Sequence, residues 1–215
     1  MWFGLQRRVA FCYENVLGTS FRLEVQARSE RAARAAESAA LAEIDRLEPI
    51  LSSYNPQSEL SLWQQVPRGQ ETPLSVELRE VLAAAEHWYQ WSGGAFHPGA
   101  ESLTRLWREA ARAGIQPGEK QLQMVCEELS VSLWTLDPVR GTGILHTPCA
   151  LSLNALAKGY IVERAAQSAF GVNGIEGVML EIGGDLRVLG SSEQKVSITD
   201  PQHDSEGELP LGWCA

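Results

Sequence analysis

The chain has 215 residues, enough for one compact domain with a substantial core. Eighteen Lys and Arg against 27 Asp and Glu give a formal net charge of −9, which argues against a nucleic-acid backbone or an anionic lipid surface as the main partner. With 44% hydrophobic and 21% charged residues, the composition is that of a folding chain and not of a disordered one.

Phe21, Leu23 and Val25 alternate with Arg22, Glu24 and Gln26, which predicts a half-buried strand, with Gly18 marking the break from a strand before it. Over residues 29–51 the alanines and Leu41, Ile44, Leu47 and Leu51 recur at three- and four-residue steps behind Ser29 as N-cap, so an amphipathic helix is expected. Turn chemistry at Ser52-Ser53-Tyr54-Asn55-Pro56 precedes a short helix over 58–64 and a loop carrying Pro67, Gly69 and Pro73. Val76, Leu78, Val81, Leu82, Ala85 and Trp88 then define a helix that starts near Ser75 and ends at Gly93-Gly94. Ala95-Phe96-His97-Pro98 reads as a loop, and helices over about 101–113 and 118–129 are separated by Gly114 and Pro117.

Strands are expected over 131–136, 143–146 and 150–153, then a helix over 154–170, then strands over 177–182, 186–189 and 195–199. Strands and helices interleave without a regular βαβ alternation, so the fold class is α+β with mainly antiparallel sheets, organised as a single domain over 1–215. No apolar run approaches the roughly 20 residues of a spanning helix. Arg7, Arg8 and Glu14 interrupt the start of the chain, so no signal peptide is expected. Cys12, Cys126, Cys149 and Cys214 lack any zinc-ligand spacing and read as buried free thiols, and His87, His97, His146 and His203 are scattered.

Three segments could carry chemistry. Leu153-Asn154-Ala155-Leu156-Ala157-Lys158-Gly159-Tyr160 sets small residues and a lysine at a strand-to-helix junction. Unpaired N–H groups and the helix dipole would suit a diphosphate there, with Lys158 as mobile charge; the same residues equally suit a helix start packed under a sheet. Glu181-Ile182-Gly183-Gly184-Asp185 permits close backbone approach of a ligand or a tight hairpin turn, and is not a dinucleotide fingerprint because strand, not helix, follows. Tyr54 and Phe96, each beside turn residues, could flank a planar ring or serve as loop packing.

Taken in order, Gly18-Thr19, the segment 51–60, Ser92-Gly93-Gly94-Ala95-Phe96, Leu106-Trp107, Ala157-Lys158-Gly159-Tyr160, Gly183-Gly184-Asp185 and Asp200-Pro201 resemble the ApbE-like family, the FAD:protein FMN transferases. The resemblance implies a T-fold-like α+β architecture and an enzyme that binds FAD as substrate and cleaves its diphosphate with Mg²⁺. It would place FMN on a threonine of an acceptor flavoprotein and release AMP, a phosphoryl transfer in which a metal offsets diphosphate charge. By motif position, Tyr54, Ala95, Phe96 and Lys158 would contact FAD and the Ala155 carbonyl would face the metal. Leu17, His97 and Ser152 occupy three further flavin positions, where the family usually has Met, Asp and Asp.

Family chains also run on beyond the Asp-Pro turn through a portion that bears a metal-binding Asp and a nearby Thr, so the fold is expected to be incomplete at its C-terminal end. By analogy with the family, the compartment is the cell envelope or periplasm. A non-catalytic FAD-binding protein and a degenerate fragment of the family are the alternatives.

Overall fold

A computed structural model describes residues 7–192, 194–199 and 208–214. In chain order the elements are β1 (Arg7–Val16), β2 (Thr19–Ala27), α1 (Glu30–Leu51), α2 (Glu59–Trp63), β3 (Glu71–Pro73), α3 (Val76–Trp91), α4 (Glu101–Arg112), α5 (Glu119–Leu129), β4 (Trp134–Asp137), β5 (Thr142–Leu145), α6 (Asn154–Phe170), β6 (Ile175–Ile182), β7 (Asp185–Gly190), β8 (Gln194–Thr199) and β9 (Glu208–Cys214). They form two compact units, Met1–Arg46 with Lys158–Ala215, and Leu47–Ala157; the division falls inside α1 and inside α6. The fold is α+β, with every described strand pair antiparallel.

The first unit is built on a four-stranded sheet in the order β1-β2-β6-β7. Its register sets Phe21 opposite Ile182, Leu23 opposite Leu180 and Val25 opposite Val178. All six are fully buried, the outcome that period-two alternation demands when one face of a sheet is covered. Helix α1 contributes Ala33, Ala36, Ala40 and Ile44 to this core, and α6 contributes Ile161, Val162, Ala165, Ala166 and Ala169. The Glu43 carboxylate of α1 accepts from Arg164 of α6 at 3.5 Å, and Arg187 of β7 reaches Glu163 of α6 at 2.7 Å. On the opposite sheet face Glu24 is buried and paired with both Arg8 and Arg22, as a carboxylate removed from water has to be.

Two hairpin turns in this unit share a conformation. Val16 pairs with Thr19 across Leu17 (φ 49°) and Gly18 (φ 76°), and Ile182 pairs with Asp185 across Gly183 (φ 53°) and Gly184 (φ 89°). Two central residues at positive φ match the twist of antiparallel strands. Strands β8 and β9 form a separate antiparallel pair.

In the second unit a three-stranded sheet in the order β3-β5-β4 accompanies α2 to α5, over a core that includes Leu60, Trp63, Leu78, Leu82, Leu145, Leu151 and Leu153. Gly143 in the central strand leaves room for its neighbours: a Cβ there would lie 2.5 Å from Leu74 Cδ1 and 3.3 Å from Trp63, so a larger residue would have to displace the Leu74 side chain. Ser58 and Ser75 cap α2 and α3 by accepting from the backbone N–H groups of Ser61 and Leu78.

The expected loop over Pro67 to Pro73 contains β3, three residues whose pairing with β5 is non-local and leaves no period to read. The expected strand over 150–153 is not one. Its alternation is real, since Leu151 and Leu153 are buried and Ser152 is half-buried. However, its amides donate to Ser102 Oγ (2.9 Å, from Ala150), Gln64 Oε1 (2.7 Å, from Leu151) and the Pro98 carbonyl (2.9 Å, from Ser152) in place of a ladder. Cys12, Cys126 and Cys149 are free as expected, yet only Cys149 is buried; Cys12 lies on the outermost described strand of its sheet and Cys126 on the exposed side of α5. The Asp200-Pro201 turn lies outside the described residues. Among the described residues no helix is long and apolar enough to cross a membrane.

Candidate functional site

In the second unit the extended segment 150–153 and Asn154, which follows it, are hydrogen-bonded to the two loops that carry Tyr54 and Phe96. One is the loop after α1. Ser52 Oγ accepts from the N–H groups of Tyr54 (3.3 Å) and Asn55 (3.1 Å), and Ser58 Oγ donates to the Ser52 carbonyl at 2.6 Å, so the loop is braced by its own serines. Tyr54 stands 85% exposed at its tip. Asn154, the first residue of α6, ties this loop down: its Oδ1 accepts from Ser53 Oγ at 2.8 Å and its Nδ2 donates to the Tyr54 hydroxyl at 3.1 Å. An amide carries both an acceptor and a donor, so one side chain serves both partners.

The other is the loop after α3, whose Pro98 carbonyl accepts from the Ser152 N–H. Gly93 (φ 61°) and Gly94 (φ 89°) turn the chain, and Ser92 Oγ accepts from the Phe96 N–H at 2.9 Å. Ala95 is exposed and Phe96 and His97 are half-buried. Both His97 ring nitrogens are engaged by the protein. The Gly99 N–H can only donate, so Nδ1 accepts from it at 3.1 Å, and Nε2 carries the proton and donates to the Leu129 carbonyl at 3.0 Å. The Tyr89 ring stands edge-on to the imidazole, 5.0 Å between centroids. His97 thus fastens its loop to the end of α5. Ser152 differs, because its N–H holds Pro98 while its hydroxyl has no hydrogen-bond partner among the described residues.

Ala155 is exposed in the first turn of α6, where its carbonyl already serves the helix and offers a second lone pair outward. A hard dication seeks several oxygens, usually carboxylates. Among the described residues no three His, Cys, Asp or Glu side chains converge on a metal-sized site, so the residues present do not by themselves make a Mg²⁺ centre.

The first unit holds Leu17 and Lys158. Leu17 sits in the β1–β2 turn at φ 49°, a region that a branched side chain occupies only under strain. Lys158 is bound at the other turn: its ammonium donates to the Gly183 carbonyl at 3.0 Å and meets Asp185 Oδ2 at 3.1 Å. The junction lysine and the glycine pair, separate features in the sequence, are therefore one feature in space.

Sequence reasoning left Asn154, Gln64 and Ser102 unassigned, since single polar residues within helical or turn patterns announce no partner. Asn154 offered one signal, an Asx residue at a helix start, which favours local side-chain hydrogen bonds. The second unit also contains a cavity of about 270 Å³ lined by Glu86, Tyr89, Gln90, Pro98 and Trp134 among others. None of the expected ligand residues lines it.

The geometry can be set beside known proteins. A family model described as the ApbE family matches residues 17–213. A FAD:protein FMN transferase of Chlamydia pneumoniae is 36% identical over 100 residues, which cover 44% of this chain and 28% of that protein; the match therefore spans less than a third of the relative's length. Three solved structures share the fold. The apo flavinyl transferase ApbE of Pseudomonas stutzeri matches with a TM-score of 0.77 at 20% identity, over 92% of this chain and 67% of that one. The flavin transferase ApbE of Vibrio cholerae gives 0.77 at 20%, over 91% and 65%. The ApbE protein of Thermotoga maritima gives 0.77 at 21%, over 96% and 68%.

Proposed function

The chain belongs to the ApbE family, and we propose that it acts on FAD as a protein flavinyl transferase. In this reading a threonine hydroxyl oxygen of an acceptor flavoprotein bonds to the phosphorus of the FMN half. The P–O bond to the AMP half breaks, AMP leaves with that oxygen, and the hydroxyl proton is released. The observation that carries the reading is the Lys158 ammonium, held at the Gly183-Gly184-Asp185 turn. A lysine is a compact charge suited to a diphosphate, and fixing it before the ligand arrives lowers the cost of binding.

Tyr54, Ala95 and Phe96 supply apolar and aromatic surface for a flavin ring, and Leu17 adds a side chain at the β1–β2 turn. Ser152, with its hydroxyl free among the described residues, is the better placed of the two altered acidic positions to hydrogen-bond the ring. His97 acts by holding the Phe96 loop in shape. Mg²⁺ supplies charge neutralisation at a diphosphate when bound. The described residues offer it the Ala155 carbonyl and no carboxylate set, so the remaining ligands would come from elsewhere. That shortage favours a second reading, in which the chain holds FAD without cleaving it. Residence in the cell envelope, where acceptor flavoproteins of this kind would be met, is part of the proposal.

One experiment separates the readings: titrate the purified chain with FAD by fluorescence, with and without Mg²⁺ and beside a Lys158→Ala variant, then resolve the nucleotides. Saturable binding with Mg²⁺-dependent AMP, both weakened in Lys158→Ala, supports the transferase. Binding without AMP supports the holding protein, and no binding overturns both.

A further inference from the structure

We propose that Asp185 is a positioning residue for Lys158, acting with the Gly183 carbonyl to aim the ammonium at an anionic ligand; this rests on the reading of Lys158 as the FAD diphosphate contact. An ammonium has three N–H donors. Two are accounted for by the Gly183 carbonyl at 3.0 Å and Asp185 Oδ2 at 3.1 Å, which leaves one for a ligand. Both acceptors belong to a single rigid turn. Gly183 and Gly184 sit at positive φ, the Gly183 N–H donates to the Ser20 carbonyl at 3.1 Å, and Thr19 packs where a Gly183 side chain would be. The turn cannot shift without disturbing its neighbour.

The exposure of the pair says what it is for. Lys158 and Asp185 side chains are 34% and 45% exposed, and an ion pair so open to water adds little to folding stability. A lysine stem, by contrast, loses considerable rotamer freedom when an anion fixes its head. A partner that orders the stem beforehand removes that loss from the binding step. The carboxylate also repels a diphosphate, so its two effects oppose each other, and asparagine separates them by keeping an oxygen acceptor while removing the charge.

The chain contains three lysines, Lys120, Lys158 and Lys195, so ¹⁵N-detected ammonium NMR gives a spectrum simple enough to assign by loss of one signal in Lys158→Arg. Asp185→Ala is expected to mobilise the Lys158 ammonium and weaken FAD binding about five-fold, the scale of one ordered side chain, with an unchanged unfolding midpoint. Asp185→Asn is expected to keep the ammonium ordered and to bind FAD as well as the wild type or better. Ammonium order and FAD affinity untouched in Asp185→Ala, or tighter binding in both variants, overturns the proposal. Loss of FAD affinity in Lys158→Ala with none in Asp185→Ala overturns it while leaving the flavinyl-transferase reading intact; absence of FAD binding by the wild type overturns both.

Discussion

Gly183 and Thr19 stand so close that a Cβ added to the glycine would lie 2.7 Å from the threonine methyl and 2.8 Å from its hydroxyl oxygen. The contact joins the β1–β2 and β6–β7 turns and so fixes where Lys158 finds its acceptor. Gly183→Ala meets both the positive φ and this contact, and should cost about 2–4 kcal/mol. Urea unfolding measures the loss; a variant as stable as the wild type would show that the turns are not tightly joined. Gly184 faces open space, so Gly184→Ala should cost only the backbone term, about 1 kcal/mol.

Leu17 carries strain that its turn does not need. Asparagine tolerates positive φ, and Asn-Gly is the favoured pair for this hairpin. Leu17→Asn should therefore stabilise the chain by about 1 kcal/mol, seen as a rise of roughly 2–4 °C in Tm. The same variant should bind FAD more weakly if the leucine side chain meets the flavin; a Tm at or below that of the wild type would refute the strain argument.

His97→Asp would return the family's usual residue to this position. It would also remove the donor to Leu129 and set a carboxylate beside that carbonyl. The expected result is a loss of about 1–3 kcal/mol with no gain in FAD affinity. Tighter FAD binding at unchanged stability would show that the position serves the flavin directly.

Glu43 titrates below the ordinary glutamate value of 4.5, chiefly because it accepts hydrogen bonds from Arg46 and also because the charges of Arg46 and Arg164 favour its ionised form, against an opposing push from burial. Arg46 binds it through two bonds of 2.9 Å. With a folded pKa below the unfolded one, the stabilisation is present at neutral pH and is lost as pH falls through the folded value. The lead of the wild type over Glu43→Gln in chemical denaturation should thus hold at pH 7 and shrink between about pH 5 and pH 3. A gap independent of pH would mean that Glu43 acts through packing alone.

Helix α1 was legible because Ala36, Ala40, Ile44, Leu47 and Leu51 repeat at helical spacing behind Ser29, whose Oγ accepts from the Ala32 N–H at 3.1 Å. The β6–β7 hairpin was legible from Gly183-Gly184 for the same kind of reason, since local sequence states local conformation. Residues 150–153 show the limit. Their alternation reports burial faithfully, but whether an extended amide meets a neighbouring strand or Gln64 and Ser102 depends on chain nearly fifty or more residues away. The site follows this division. Lys158 and Asp185 each stood out or could have, yet nothing in the 26 intervening positions states that they touch. His97 looked like a departure at a ligand position, and its use became visible only with Leu129 in place.

Strand β1 lies at the end of the described sheet order, and its ten residues make a long template on which another chain could add a strand. Arg7, Arg8 and Glu14 along it are exposed, and Arg8 is held by the buried carboxylate of Glu24. That carboxylate, besides satisfying two guanidinium groups, keeps a charged side chain standing on the sheet margin, where charge discourages edge-to-edge stacking. The charge on that outer strand is thus held in place partly by Glu24, a residue that solvent hardly touches.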